Sequence, residues 1–366
     1  MNNLFTIGVE EEYMICNKNT YDLINKADNI MNKLSKNELD TFSYELLLSE
    51  IESNTSICKT VDQAIKELIS NRNRLKDIGE KNNFRIGISG THPTALPEDQ
   101  SLVNNDSYNW VTKELKEYSR QNITFSTHIH IGLDSNDTII QVLNVANGWI
   151  APMIALCANS PFFGGKLTGM QSSRTFQFGL FPRTNILHKI KNYDEYSIIV
   201  KKLKECKSIN KNSHLWWKIR PHIGYSTIEF RVCDIQRSLR NTEMIIAITQ
   251  SLVHKIYHDI KNNKINPDYN MEFLNDSVWK ASSLGIKSKL ICPRNEKLIT
   301  MKDMIYSMLD FIYPSLVYFG TENIIETVEN ILKNHTEAEE QIEIYHKLGF
   351  DGLKKFLVEN VDYALN

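Results

Sequence analysis

The chain has 366 residues, of which 42 are basic and 44 acidic, and its formal net charge is −2 at pH 7. This balance argues against a nucleic-acid partner, which an excess of basic residues would indicate. The six cysteines form no Cys-x-x-Cys pair, which argues against a disulfide framework or a structural zinc site and favours reduced thiols in the cytoplasm.

The first part of the chain combines predicted strands with one helix. It lacks the basic start and the apolar run of a signal peptide, so we expect no secretion. Polar and apolar side chains alternate in residues 4–15 and 46–57, which predicts two strands. Apolar residues repeat at helical spacing over residues 60–82, where Thr60 and Gln63 form a candidate capping box.

The middle of the chain predicts two further strands and a long helix. Residues 84–89 and 123–133 have the composition and alternation of strands, and residues 135–158 predict a helix that Pro152 should kink. The longest apolar stretch, residues 149–158, is shorter than the roughly 20 residues that cross a bilayer, so we expect no membrane partner.

The last part of the chain is predicted to contain a loop, a helix and two strands, followed by a helical C-terminal region. A glycine-rich loop at residues 161–169 precedes a predicted helix at 194–207 and strands at 215–220 and 227–233. From Arg240 onward the pattern is almost entirely helical. Because no linker or repeat divides the chain, we predict one domain over residues 1–366, with an α+β fold in which helices cover a sheet.

Two of the predicted strands carry paired carboxylates. Glu10 and Glu12 share one strand face about 7 Å apart, and Glu50 and Glu52 repeat this spacing, with Glu45 nearby. Paired carboxylates suit Mg²⁺ or Mn²⁺, because these cations prefer oxygen ligands. The ordinary alternative for each strand is a solvated, charged face.

Two other strands place different polar groups opposite an apolar face. His128 and His130 share one face, which indicates a metal or phosphate site, although a buried structural histidine is the alternative. Glu229 and Arg231 share a face in the same way, and a cross-strand ion pair would also explain them.

If the four strands are neighbours in one sheet, their polar residues together indicate a single site. Carboxylates, histidines and arginines would then line one face, as in a site that binds several metal ions and a polyphosphate. Arg174 and Arg220 stand close to this set in the sequence and could bind phosphate or carboxylate.

The sequence resembles the type 2 glutamate–cysteine ligases, and most closely their YbdK-type carboxylate–amine ligase branch. The matching segments are GVEEEY at residues 8–13, ESNT at 52–55, GTHP at 90–93, HIHIG at 128–132, SPFFGG at 160–165, SRT at 173–175, WWKIRP at 216–221 and TIEFRVCD at 227–234. The resemblance covers the chain to about residue 239. It implies a glutamine-synthetase-like catalytic fold, with a curved, mainly antiparallel sheet flanked by helices.

The resemblance also implies an activity. A carboxylate, typically the γ-carboxylate of glutamate, takes the terminal phosphoryl group of ATP, and an amine such as that of cysteine then displaces phosphate to form an amide. ATP and Mg²⁺ or Mn²⁺ are the implied cofactors, and glutathione biosynthesis is the implied setting. Relatives of this kind commonly self-associate, so a homodimer is expected.

The resemblance assigns roles to particular residues. Those that match metal ligands are Glu10, Glu12, Glu52, His128 and Glu229, the last of which is also expected to be catalytic. His130 matches a contact to the nucleotide or to a bound metal, and Arg231 matches a donor to the nucleotide and to the transferred phosphoryl group. Arg174 is expected in catalysis and Arg220 in cofactor binding, as partners for phosphate or a substrate carboxylate.

The sequence departs from the family pattern near the expected substrate loops. Phe163 stands where tryptophan is more common, and Arg183 places a cation where smaller residues are common. A ligase with a different amine acceptor is therefore one alternative. Others are a zinc-dependent amide hydrolase that uses His128 and His130, and a non-catalytic protein that binds a nucleotide or metabolite.

Overall fold

An antiparallel sheet and flanking helices make up the computed structural model, which describes residues 3–265 and 267–365; Met1, Asn2, Asn266 and Asn366 lie outside the described residues. The strands are β1 Ile7–Asn17, β2 Phe42–Tyr44, β3 Glu50–Asn54, β4 Phe84–Gly87, β5 Ser126–Gly132, β6 Phe162–Phe163, β7 Lys166–Leu167, β8 Ile219–His222, β9 Thr227–Asp234, β10 Lys289–Ile291 and β11 Leu298–Thr300. The helices are α1 Ala27–Met31, α2 Val61–Asn82, α3 Asp106–Leu115, α4 Asn136–Ala146, α5 Ile150–Cys157, α6 Arg174–Phe178, α7 Tyr193–Glu205, α8 Leu239–Lys261, α9 Met271–Leu284, α10 Met301–Phe319, α11 Ile324–Lys333 and α12 Glu337–Glu359.

The main sheet has the strand order β2–β3–β1–β5–β9–β8, and β4 pairs with the second half of β1. Neighbouring strands are antiparallel throughout this sheet. The predicted α+β class, with an antiparallel sheet flanked by helices, is confirmed.

One face of the sheet is apolar. Val9 of β1, Ile129 and Ile131 of β5, and Ile228 and Phe230 of β9 are buried in one hydrophobic cluster. Strands β5 and β9 pack there against α4, α5 and α8. Because side chains alternate along a strand, burial of these residues turns their neighbours to the opposite face, which bears the polar residues.

The long predicted helix is divided near Pro152. Helix α4 ends at Ala146, a 3₁₀ turn follows at Asn147–Trp149, and α5 begins at Ile150. Pro152 has no N–H to bond the carbonyl of residue 148, and its ring crowds that carbonyl, so the break falls just before the proline. The apolar helical stretch, Asn136–Cys157, is longer than residues 149–158 and could cross a membrane by length and composition, but 94% of its apolar window is buried inside the fold.

The structure differs locally from the sequence predictions at the start of α2, in the glycine-rich loop and in the helical end of the chain. Thr60 caps α2 by accepting from the Gln63 N–H at 3.2 Å, but the Gln63 side chain accepts from Lys59 rather than closing the predicted box. The glycine-rich loop contains the β6–β7 hairpin, and the helical end of the chain contains the β10–β11 hairpin.

A buried ion pair ties β1 to α2. Arg72 and Glu11 are both fully buried, and the guanidinium donates two hydrogen bonds to the carboxylate, at 2.7 and 3.0 Å. The same guanidinium donates to the backbone carbonyls of Gln236, Arg237 and Asp362. Arg72 therefore joins the first strand, the segment after β9 and the C-terminal segment.

His92, in the turn after β4, is held in its neutral form. Its Nδ1 accepts from the N–H groups of Thr94 and Ala95 at 3.3 and 3.1 Å, and its Nε2 lies 3.1 Å from the carbonyl oxygen of Tyr21. Protonation of Nδ1 would remove both accepted hydrogen bonds. Burial, only partly offset by the Tyr21 carbonyl, lowers the pKa of His92 to about 4.

We expect the His92→Gln variant to lose less stability in acid than the wild type. The depressed pKa of His92 gives stability that is fully present above the unfolded pKa of about 6.5 and is lost as the pH falls towards 4, by up to about 3 kcal/mol. Glutamine does not titrate, so the free energy of unfolding, measured with urea from pH 7 to 4, should fall less steeply. His188→Gln, at an exposed position, is the control, and equal slopes in all three proteins would contradict the assignment.

Candidate active site

The strand register places the candidate residues in a diagonal row, which steps by two residues at a time across the polar face of the sheet. The cross-strand partners are Glu52 with Glu12, Glu10 with His128, His130 with Glu229, and Glu229 with Arg220. Direct partners on neighbouring strands point to the same side of a sheet, so these side chains meet. The row runs through β3, β1, β5, β9 and β8.

Glu10 lies between the two histidines. One of its carboxylate oxygens accepts from His128 Nδ1 at 3.0 Å, and the other accepts from His130 Nε2 at 3.1 Å. Burial opposes ionisation of Glu10, but attraction to His130 and the hydrogen bonds from both rings outweigh it and hold the pKa of Glu10 well below its usual range. Burial lowers the pKa of His130, but Glu229 and Glu10 together raise it above its ordinary value.

Glu12 is fixed by β5. It accepts from the Ser126 N–H at 2.6 Å and from the Ser126 hydroxyl. His128 Nε2 lies 2.8 Å from the Ser126 hydroxyl oxygen and 3.8 Å from a Glu12 oxygen. The His128 ring therefore turns one nitrogen towards Glu10 and the other towards Glu12, and burial, followed by the charge of Arg231, lowers its pKa.

Two groups of side chains have the geometry to hold a cation. Glu10, His128 and Glu229 form one, Glu12, Glu52 and His128 form the other, and the donor atoms of each group lie within 4.8 Å of one another. Each group offers two carboxylates and one imidazole. This oxygen-rich donor set fits Mg²⁺ or Mn²⁺.

Further carboxylates surround the second group. Burial and the neighbouring negative charges raise the pKa of Glu45 and of Glu50 well above the usual range, and raise that of Glu52 to about 7. Glu52 accepts from Ser43 at 2.7 Å, whereas Glu50 faces the cavity described below. This end of the row is strongly acidic.

The opposite end of the row is balanced by arginines. Glu229 is fully buried and accepts from Arg220 at 2.5 Å and from Arg231. These two guanidinium groups, with His130, outweigh the effect of burial and hold the pKa of Glu229 far below its usual range. The Nε of Arg231 is buried and has no hydrogen-bond partner within the described parts of the chain.

Arg174, the first residue of α6, lies beside this end. Its guanidinium donates to the backbone carbonyl of Arg231 at 3.0 Å and lies 3.9 Å from Asp234. Its Nε is buried and lacks a partner among the described residues. The Phe178 ring lies under both guanidinium groups, 5.8 Å from that of Arg174 and 5.7 Å from that of Arg231.

Two cavities border the row. The first, of about 250 Å³, is lined by acidic residues on β1 and β3, by Arg174 and Arg231, and by aromatic side chains that include Tyr108 and Phe178. The second, of about 740 Å³, lies at the other side and contains His130. Glu10 and Glu52 line both cavities and so form part of a shared wall.

The mouth of the second cavity has a flat aromatic surface. The rings of His222 and Tyr225 are parallel within 5° and 4.4 Å apart, and Tyr225 is 71% exposed. Both residues line the second cavity. An exposed aromatic face at a cavity mouth is suited to stacking against a planar group.

The structure brings together every residue for which the sequence predicted a catalytic, cofactor-binding or metal-binding role, whereas Phe163 and Arg183 line neither cavity. Lining the first cavity are Glu10, Glu12, Glu52, His128, Arg174, Arg220 and Arg231; His130 lines the second, and Glu229 lies beneath Arg220 and Arg231. Their chemical roles stay predictions. The sequence analysis missed Ser126, although it precedes His128 by two residues and so shares its strand face; it also missed Tyr108 and Phe178, which reach the site from helices.

A family model, glutamate–cysteine ligase family 2, matches residues 6–347 of the chain. A relative from Herpetosiphon aurantiacus, provisionally named glutamate–cysteine ligase 2, is 30% identical over 345 residues, which cover 94% of this chain and 90% of the relative. A relative from Solibacter usitatus with the same provisional name is 30% identical over 364 residues, which cover 98% of this chain and 94% of the relative.

Solved structures share the fold at low sequence identity. A glutamate–cysteine ligase from Francisella tularensis in complex with AMP has a TM-score of 0.72 and 14% identity, over 98% of this chain and 88% of that chain. A bifunctional glutathione synthetase from Pasteurella multocida has a TM-score of 0.61 and 12% identity, over 98% of this chain and 53% of that chain.

Proposed function

The chain belongs to the glutamate–cysteine ligase family 2, and on that premise we propose that it joins the γ-carboxylate of glutamate to the amino group of cysteine. It is an ATP-dependent ligase that joins a carboxylate to an amine. The proposal concerns the substrates, the cation and the roles of individual residues. The observation that supports it best is the row of partners across β3, β1, β5, β9 and β8. This row places two cation-binding groups next to arginine nitrogens that have no hydrogen-bond partner among the described residues.

The proposed reaction has two steps. A carboxylate oxygen attacks the terminal phosphorus of ATP, and the bond from that phosphorus to ADP breaks. The amine then attacks the carbonyl carbon of the acyl phosphate, loses a proton, and displaces phosphate with its bonding electron pair. Arg231 would stabilise the negative charge on the phosphoryl oxygens, because its buried Nε has no other partner within the described residues.

Mg²⁺ is the proposed cation. Glu10, His128 and Glu229 would hold one ion, and Glu12 and Glu52 would hold a second without His128, because a neutral imidazole has only one nitrogen free to bind a metal. A bound Mg²⁺ neutralises phosphate oxygens. Arg220 would support the first group, because its hydrogen bond to Glu229 orients that carboxylate.

The two cavities separate the substrates in this proposal. We place the nucleotide in the second cavity, where the exposed face of Tyr225 could stack on the base. His130 lines this cavity, and Glu10 lies at the shared wall. The carboxylate and the amine would occupy the first cavity, beside Arg174. Phosphoryl transfer would then take place at the wall that both cavities share.

An acceptor screen tests the proposed reaction. Purified protein is incubated with ATP, Mg²⁺, glutamate and a panel of amines that includes cysteine, and ADP and the amide are measured by mass spectrometry. We expect equal amounts of ADP and γ-glutamylcysteine, and the highest kcat/KM with cysteine. Chelation of the metal should reduce ADP release to background, and Mn²⁺ should restore it.

Different outcomes correct different parts of the proposal. If another amine gives a higher kcat/KM than cysteine, that amine is the acceptor. If an amide forms only when a different carboxylate is supplied, that carboxylate takes the place of glutamate in the proposal. Full activity after chelation, with no metal detected in the protein, would remove the cation from the mechanism. Absence of ADP release with every acceptor would contradict the proposed pair of substrates.

A further inference from the structure

Glu50 differs from the other carboxylates that line the first cavity. It is 2% exposed, and its side chain has neither a hydrogen bond nor an ion pair to any described residue. Glu10 and Glu12 accept hydrogen bonds from β5, and Glu52 accepts from Ser43. Glu45 shares a hydrogen bond with Glu52. The oxygens of Glu50 therefore keep their hydrogen-bonding capacity for a group that arrives from the cavity, and a cationic donor binds a carboxylate most strongly.

Arg174 presents a guanidinium group to the same cavity and is also incompletely paired. It is 3% exposed, its Nε has no partner in the described ranges, and its nearest carboxylate is Asp234, at 3.9 Å. Asp234 itself accepts shorter hydrogen bonds from Ser160 and Ser172, at 2.6 and 3.0 Å. The charge of Arg174 is therefore only partly neutralised.

Glu50 and Arg174 do not pair with each other. Both line the first cavity, but no nitrogen of Arg174 lies within 4.0 Å of a Glu50 oxygen. Arg231 differs from Arg174, because it donates to the buried carboxylate of Glu229. The first cavity therefore has a carboxyl group and a guanidinium group on its wall, each with unused hydrogen-bonding capacity and separated from the other.

We propose that Glu50 and Arg174 together select an α-amino acid, Glu50 by binding its ammonium group and Arg174 by binding its α-carboxylate. A zwitterion has adjacent groups of opposite sign, which would occupy the gap between the two side chains. Glu50 is then a specificity-determining residue, since a simple carboxylic acid leaves it unpaired. This inference rests on the proposed function, because it assigns the carboxylate substrate to the first cavity.

Analogues of glutamate test the inference in the wild-type protein. Glutarate lacks the ammonium group, and 4-aminobutyrate lacks the α-carboxylate, but both retain a carboxylate that can be activated. With ATP, Mg²⁺ and a fixed amine, we expect kcat/KM to fall about 10- to 100-fold for each analogue relative to glutamate, the range that corresponds to one lost charged hydrogen bond. Equal values for glutamate and glutarate would overturn the role of Glu50.

The Glu50→Gln variant separates Glu50 from general effects on the site. It should lose kcat/KM about 10- to 100-fold with glutamate but little with glutarate, so that the preference between the two collapses. Glu45→Gln is the matched control, because it removes another carboxylate from the same cavity. The hydrogen bond of Glu45 to Glu52 means that kcat/KM can fall, but by the same factor for glutamate and glutarate, so that the preference stays intact. The inference is wrong if Glu50→Gln lowers kcat/KM for glutamate and for glutarate by the same factor. It is also wrong if Glu45→Gln abolishes the preference for glutamate as completely as Glu50→Gln does.

The proposed function and this inference fail in different ways. If the wild type forms an amide from a carboxylate other than glutamate, the proposed substrate is wrong, and the same comparison is made with the amino and deamino forms of that carboxylate. If the wild type uses glutamate but has the same kcat/KM with glutarate, the proposed function stands and the proposed role of Glu50 is wrong.

Discussion

Replacing Glu229 with glutamine should reduce turnover by about 10²- to 10³-fold or more, while the protein stays folded. Glu229 is fully buried, accepts from Arg220 and Arg231, and belongs to the cation-binding group with Glu10 and His128. Glutamine has nearly the same shape but no charge. The variant therefore loses a cation ligand and the negative charge that neutralises the guanidinium groups of Arg220 and Arg231.

The measurement is ADP release with ATP, Mg²⁺, glutamate and the best acceptor, together with a circular dichroism spectrum to verify folding. The control is Glu205→Gln, which removes an exposed carboxylate from a surface pair with Lys201 and should keep wild-type turnover. Full activity in the Glu229 variant would remove this residue from the site. A raised requirement for Mg²⁺ would further support its role as a ligand.

Replacing Arg72 with methionine should lower the free energy of unfolding by about 3–5 kcal/mol. The substitution leaves Glu11 buried without its ionic partner and removes donors from the carbonyls of Gln236, Arg237 and Asp362. Arg74→Met, on the same helix, removes a partly exposed pair with Glu38 and should cost less, about 1 kcal/mol or below.

Urea denaturation of the single and double variants measures this effect. We expect the double variant Glu11→Met/Arg72→Met to recover much of the loss, because it no longer contains an unpaired buried charge. A cost below about 1 kcal/mol for Arg72→Met, or no recovery in the double variant, would show that the ion pair matters little to stability.

The faces of the strands could be predicted from the sequence because side chains alternate with a period of two. This placed Glu10 with Glu12, and His128 with His130, on one face of each strand. The register could not be predicted, since it depends on contacts between distant segments. The partner of Glu11, Arg72, lies 61 residues away and carried no local signal.

The substrate end of the site was harder to predict for a similar reason. Tyr108 and Phe178 reach the first cavity from α3 and α6, and tertiary packing alone determines which helix residues do so. The sequence also left open a zinc hydrolase and a non-catalytic binding protein. The chain is instead a ligase, because the family to which it belongs is one of ligases. One domain over residues 1–366 stays a prediction.

The wall that the two cavities share has a kinetic consequence. Apart from Glu10 and Glu52, the two cavities are lined by different residues, so each can be occupied while the other is free. If nucleotide and amino acid enter from opposite sides, neither must bind first, and ADP can leave while the amide is still bound. Random order of addition, with inhibition by ADP that is competitive only towards ATP, would be its signature in steady-state kinetics.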